Sequence, residues 1–185
     1  MPQDKIFKIC LVGPVEVGKT SIIKSYSQDQ KEFLKSNKSN DQVTNPVMKL
    51  YNIDEKEILL NIWDIQSEFD NKGSIPLYLR DTNGIILVFD LTNKKSAKKL
   101  ENWVKVISSI GYQLDRRTLS LLLAGNKNDL DHSMKDQDIE KLTKKIKKIL
   151  HYNDPIPFFK VSAETNENIK EMFDEMIKLL LNKKR

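Results

Sequence analysis

The sequence predicts an α/β fold: a mainly parallel sheet with helices packed on both faces. Apolar strand-like runs occur at IFKICLVG (6–13), VMKLYNI (47–53), EILLNIWD (57–64), GIILVFD (84–90), LSLLLAG (119–125) and IPFFKV (156–161). Most are followed by a stretch with helical spacing, clearest in SIIKSYS, AKKLENWVKVISSI, DIEKLTKKIKKIL and ENIKEMFDEMIKLLL. Strands that alternate with helices need crossover connections, which make neighbouring strands parallel. One exception is visible. VMKLYNI and EILLNIWD are separated only by Asp54, Glu55 and Lys56, a link that suits a hairpin and hence one antiparallel edge pair.

The 185 residues suggest one domain, 1–185, able to bury roughly 70% of its unfolded surface. Hydrophobic residues make up 39% and charged residues 31%, the balance of a soluble globular chain. No apolar run approaches the roughly 20 residues that span a bilayer. The start, MPQDKIFKICLVG, is too short and too charged for a secretory signal. The single Cys10 excludes an internal disulfide and fits a reducing, cytoplasmic setting. A net charge of +5 is modest. KKIKK at 144–148 and the terminal KKR read as solvated helix faces, with anionic lipid or nucleic acid the sharper alternative. The polar tract DQKEFLKSNKSNDQ (29–42) shows no convincing period and reads as a loop.

In such sheets ligands sit at the carboxyl ends of the strands. The first motif there is GPVEVGKT, residues 13–20, of the pattern G-x-x-x-x-G-K-[ST]. Gly13 and Gly18 let the backbone wrap an anion. The amides of Val15, Glu16, Val17, Gly18, Lys19 and Thr20 can face phosphate oxygens, with the helix N-terminus and Ser21 behind them. Lys19 reaches the β- and γ-phosphates, and the Thr20 hydroxyl suits magnesium, which takes oxygen ligands. The second motif is NKND, 126–129. One carboxylate, Asp129, can accept both the N1 hydrogen and the 2-amino hydrogens of guanine, neither of which adenine offers. The Lys127 stem can lie over the base, and Asn126 can brace the site. The third, VSAE at 161–164, is weak alone. It contributes Ser162, Ala163 and Glu164, with the Ala163 amide suited to the guanine O6.

In order and spacing GPVEVGKT, WDIQSEF, NKND and VSAE resemble the Ras-like small GTPases, over nearly the whole chain. The Rab branch is the most similar: IPLYLRDTNGIILVFDLTN (75–93), followed by Trp103, resembles the corresponding Rab segment with no gap back to Trp63. The resemblance implies a P-loop GTPase fold with six strands and five helices. It implies bound GDP or GTP with Mg2+, and two switch loops that respond to the γ-phosphate. It also implies effector and regulator proteins as partners, a monomer, and no nucleic acid.

The departures are as informative. The family pattern D-T-A-G-Q places a Gly amide on the γ-phosphate and a Gln on the attacking water. Here Asp64 is kept and should meet magnesium through water. Ser67 stands for the Gly, and its Cβ narrows the backbone choices of the loop. Glu68 stands in the place of the water-positioning Gln; it loses the amide donor and, if ionised, sets a negative charge beside the phosphates. Val15 and Glu16 replace residues that are small in the family. Either they crowd the phosphates or they point outward and do little. Thr44 is the only Thr between Ser21 and Trp63, a few residues late for the first-switch magnesium ligand. Phe33 is the candidate aromatic against the guanine edge, or an ordinary loop anchor. Rab-type proteins carry a prenylated terminal Cys. This sequence ends LLLNKKR, so either the anchor is lacking or the sequence stops short of it. Membrane contact is then at most peripheral, through partners or the basic surface.

The resulting expectation is a Rab-like, GTP/GDP-dependent protein-interaction switch in membrane traffic, with impaired intrinsic hydrolysis. Two rivals stay open: a non-switching adaptor whose nucleotide is structural or absent, and an active GTPase with an unusual catalytic group. An ATP-dependent kinase would leave NKND unexplained.

Overall fold

Continuous apolar runs need cover on both faces, and the two strands with the longest such runs lie deep in the sheet. These are β5 (Gly84–Asp90) and β6 (Ser120–Asn126), buried at every residue. The computed structural model describes residues 5–28, 33–35, 46–53, 56–65, 75–111, 114 and 118–183. Beside β5 runs β1 (Lys5–Val12), then the hairpin strands β4 (Lys56–Asp64) and β3 (Val47–Ile53). At the other edge is β7 (Phe158–Lys160), the three-residue core of the run expected at 156–161. The six expected strands thus form the sheet. A three-residue strand, β2 (Phe33–Lys35), adds a seventh at the rim, giving the order β2-β3-β4-β1-β5-β6-β7. The pairs β1–β4, β1–β5, β5–β6 and β6–β7 are parallel. The pairs β3–β4 and β2–β3 are antiparallel, as the short link between β3 and β4 requires.

The five helices are α1 (Lys19–Gln28), α2 (Ile75–Leu79), α3 (Lys94–Ser109), α4 (Asp136–Leu150) and α5 (Ile169–Asn182). Strand side chains alternate between faces, so the sheet separates two cores. Cys10, Val12, Leu87, Phe89 and Leu123 point to the side where Trp103 of α3 and Ile146 of α4 pack. Ile9, Leu11, Ile86, Val88 and Leu122 point to the side of Ile22 in α1 and Phe173 in α5. Cys10 is fully buried, and that burial raises its thiol pKa to about 11. It is a core residue that packs rather than reacts.

Two helix starts bear on the site. Asn93 caps α3, its side chain accepting from the Lys95 amide at 3.0 Å. Asp138 reaches back to the Lys135 amide at 3.2 Å at the start of α4. Both helices leave carboxyl ends of central strands. Within KKIKK, Ile146 is buried in the core while Lys144, Lys145 and Lys148 are exposed. Among the described residues no helix is long and apolar enough to cross a membrane.

Candidate nucleotide-binding site

The phosphate loop leaves β1 at Gly13 and enters α1 at Lys19. Its two glycines are needed for close approach. A Cβ on Gly13 would sit 2.2 Å from the Val88 carbonyl oxygen on β5. Gly18 has φ +91, and a Cβ there would lie 2.3 Å from Asn126 Nδ2. The loop forms one wall of a cleft of about 650 Å³, within the usual range for a small-molecule ligand. Val15, Glu16, Gly18, Lys19, Thr20 and Ser21 line that wall. Asn126, Lys127, Asp129 and Leu130 from the loop after β6 line another, and Ala163 and Glu164 after β7 close it. The three motifs, far apart in sequence, meet here.

Lys19 is buried, and its Nζ donates to the carbonyls of Gly13 at 3.0 Å and Pro14 at 2.9 Å. Burial lowers its pKa, and the charge of Asp64 opposes that shift. An ammonium held by carbonyl oxygens at a helix N-terminus is the environment a polyphosphate completes. Val17 is buried beneath the loop and supplies a carbonyl to Asn126. At the cleft mouth the Thr20 hydroxyl donates to Asp64 Oδ2. Asp64 is the last residue of β4, level with Leu11 of β1. This pair is all-oxygen, as magnesium requires, and magnesium commonly draws its remaining ligands from phosphates and water. Among the described residues no cluster of three or more His, Cys, Asp or Glu side chains could hold a metal alone. Thr20 and Asp64 therefore fit the ion as part of a nucleotide complex.

The base side is organised by Asn126, which is 2% exposed. Its Nδ2 donates to the Val17 carbonyl at 2.9 Å, and its Oδ1 accepts from the Ala163 amide at 3.1 Å. One side chain thus ties all three motifs together. The Ala163 amide, expected to face a guanine O6, is turned to Asn126, so an O6 contact would share that N–H. Asp129 Oδ1 accepts from the buried Ser162 hydroxyl at 2.5 Å, and Ser162 Oγ in turn accepts from the Thr165 amide at 3.1 Å. Asp129 is thereby aimed while keeping acceptor capacity toward the cleft. Lys127 has φ +67, and its Nζ pairs with Asp90 Oδ2 at 2.7 Å. Burial raises the Asp90 pKa, but hydrogen bonds from Lys127 and Thr92 outweigh it and leave the carboxyl below its ordinary value.

Several expected residues fall elsewhere. Phe33 lies in β2, paired with Lys49, which is level with Leu60 and Phe7. Five strand spacings of about 4.8 Å, or ~24 Å, separate β2 from β6, and Phe7 lies at the amino half of β1. The backbone of Phe33 is thus held in an edge strand. Thr44, Ser67 and Glu68 lie outside the described residues. Two contributors were missed from sequence, Asp90 and Leu130. The signal for Asp90 was present: GIILVFD ends on an aspartate just as EILLNIWD does.

Val15 is 46% exposed, and Glu16 is exposed with φ +63, a region costly for a residue with a Cβ. Relief of that strain gives a prediction. Glu16→Gly should raise stability by about 0.5–1 kcal/mol, read as a higher thermal midpoint. It should also slow release of a fluorescent GDP in stopped flow, because a negative charge leaves the phosphate wall. Equal midpoints and equal release rates would contradict both parts.

A phosphate cradle between a central parallel strand and a helix, opposite an Asn-Lys-x-Asp loop, defines a phosphate-loop protein of the α/β class. The chain matches the Ras family model over residues 8–182. It is 32% identical over 184 residues to Ras-related protein Rab-21 of Homo sapiens, covering 95% of this chain and 72% of that one. It is 30% identical over 180 residues to Ras-related protein Rab-13 of Canis lupus familiaris, covering 97% and 82%. Against Ras-related protein Rab-7L1 of Rattus norvegicus it is 28% identical over 184 residues, covering 99% and 86%. The chain belongs to the Ras family, as a small GTPase close to the Rab branch.

Proposed function

We propose that this chain is a Rab-like switch in membrane traffic. It binds GDP and GTP with magnesium and engages effector and regulator proteins through its switch segments according to the nucleotide held. Its intrinsic hydrolysis is slow, and it works as a monomer in the cytoplasm, meeting membranes peripherally through partners. The observation that carries the reading is the Asn126 bridge, which supports a single site shared by phosphate and base.

The geometry of the described residues supports the following roles. Lys19 exchanges its two carbonyl partners for phosphate oxygens, which relieves a buried cation. Thr20 and Asp64 hold magnesium, which when bound offsets phosphate charge. Asp129, held by Ser162, selects guanine. Lys127, held by Asp90, stands against the base. By residue type alone, Ser67 would offer its amide to the γ-phosphate and Glu68 would fail to orient water.

Chromatography of nucleotide released from the denatured, purified protein tests this reading. GDP or GTP is expected. ATP would overturn it, and protein free of any nucleotide that also takes up none would favour the adaptor. A second prediction concerns Asp129→Ala, which leaves the guanine donors unpaired. It should weaken GDP binding by about 1–3 kcal/mol, roughly 5- to 150-fold, with little change for ADP. Calorimetry with both nucleotides reads the difference; equal losses would show that Asp129 does not select the base.

A further inference from the structure

A second concavity, about 430 Å³, runs between α3 and α4 and shares no lining residue with the nucleotide cleft. Two ion pairs cross it: Lys94 with Asp138 at 2.8 Å and Lys145 with Glu101 at 2.6 Å. The pairing order makes the helices parallel along the groove, with Lys98 and Lys141 lying between the two bridges. Both are exposed and line the groove, and Lys141 adds its charge to the field at Asp138 without displacing Lys94 as its close partner. The bridges consume both acidic groups of the lining and leave an excess of two positive charges. Beneath them Ala97 and Leu142 form an apolar floor. Further exposed lysines, Lys95, Lys99, Lys144 and Lys148, extend the positive field along both helices.

The geometry points to a docking groove for an acidic protein segment that carries an apolar side chain. Charge complementarity selects the sign, since the lining carries two positive charges in excess, which an anionic partner offsets. Shape selects the kind of partner. From Lys94 to Glu101 the helix rises about 10 Å, the length of roughly three extended residues. A flat anionic membrane would meet the two rim carboxylates and leave the apolar floor uncovered. A chain that alternates acidic and apolar residues satisfies both. The groove shares no lining residue with the nucleotide cleft, so a partner can occupy it without entering that cleft.

The test is fluorescence anisotropy with a labelled Asp-Glu-Leu-Glu-Asp peptide on the full chain. Lys98→Glu with Lys141→Glu should weaken binding by about tenfold or more. Lys24→Glu with Lys178→Glu makes the same charge change on α1 and α5 and should alter it less than about twofold. GDP retention serves as the fold control, because the groove residues lie outside that cleft. Three results would overturn the inference: no peptide binding by the unaltered chain, equal losses in the two double variants, or retention on phosphatidylserine vesicles that the groove variant loses while the peptide never binds.

Discussion

Asn126→Ala is expected to release GDP about 30- to 20,000-fold faster than the unaltered chain. The side chain is buried and satisfies two backbone groups at once, the Val17 carbonyl and the Ala163 amide. Each group left unpaired costs about 1–3 kcal/mol, and 1.4 kcal/mol is about tenfold in an equilibrium. Asn126→Asp tests the donor separately. It keeps an acceptor for Ala163 but sets a carboxylate against the Val17 carbonyl, so it should be no better than alanine. Gly18→Ala reaches the same contact from the other side, since its Cβ would lie 2.3 Å from Asn126 Nδ2 and φ +91 is strained for alanine. The two substitutions should therefore be strongly non-additive. Stopped-flow release of a fluorescent GDP from the three variants and the double checks this. Additive effects would mean that Gly18 and Asn126 act apart.

Hydrolysis of prebound GTP should run about 10- to 1000-fold below that of relatives with Gly and Gln in place of Ser67 and Glu68, or roughly 1.4–4 kcal/mol in the barrier. A carboxylate cannot supply the amide donor, and a Cβ at Ser67 restricts the loop that bears it. Val15 adds a branched side chain to the cleft wall. Glu68→Gln alone should recover little, because Ser67 and Val15 would still disturb the geometry. The triple change Val15→Gly, Ser67→Gly, Glu68→Gln should recover most of the deficit under single-turnover conditions. If the triple variant hydrolyses no faster than its parent, the defect lies outside these three positions, with the first switch around Thr44 the next place to look.

The sheet was legible because its physics is local. GIILVFD and LSLLLAG are too continuously apolar to be half-exposed, and a link of three residues leaves β3 and β4 no room for a crossover. The edge strand Phe33–Lys35 was not legible. Three residues inside a polar tract carry no period, and their pairing with Val47–Lys49 is set by the neighbour. In the site, Gly13, Gly18, Lys19, Thr20 and Asp129 could be read because spacing in one loop dictates where they point. Asp90 and the sharing of Ala163 could not, because both depend on contacts across strands. Asp90 stands level with Asn126 only once β5 and β6 pair in register, and its partner Lys127 then follows. Ser162 was named only as part of VSAE; its hold on Asp129 needed the β6–β7 register as well.

Titration of nucleotide-free protein with GDP and with ADP, by calorimetry in the presence of magnesium, bears most directly on the central claim. The bridge between phosphate loop and base loop, together with the Ser162-held Asp129, predicts tight magnesium-dependent GDP binding and ADP binding at least about 100-fold weaker. Comparable affinities for the two nucleotides would contradict it.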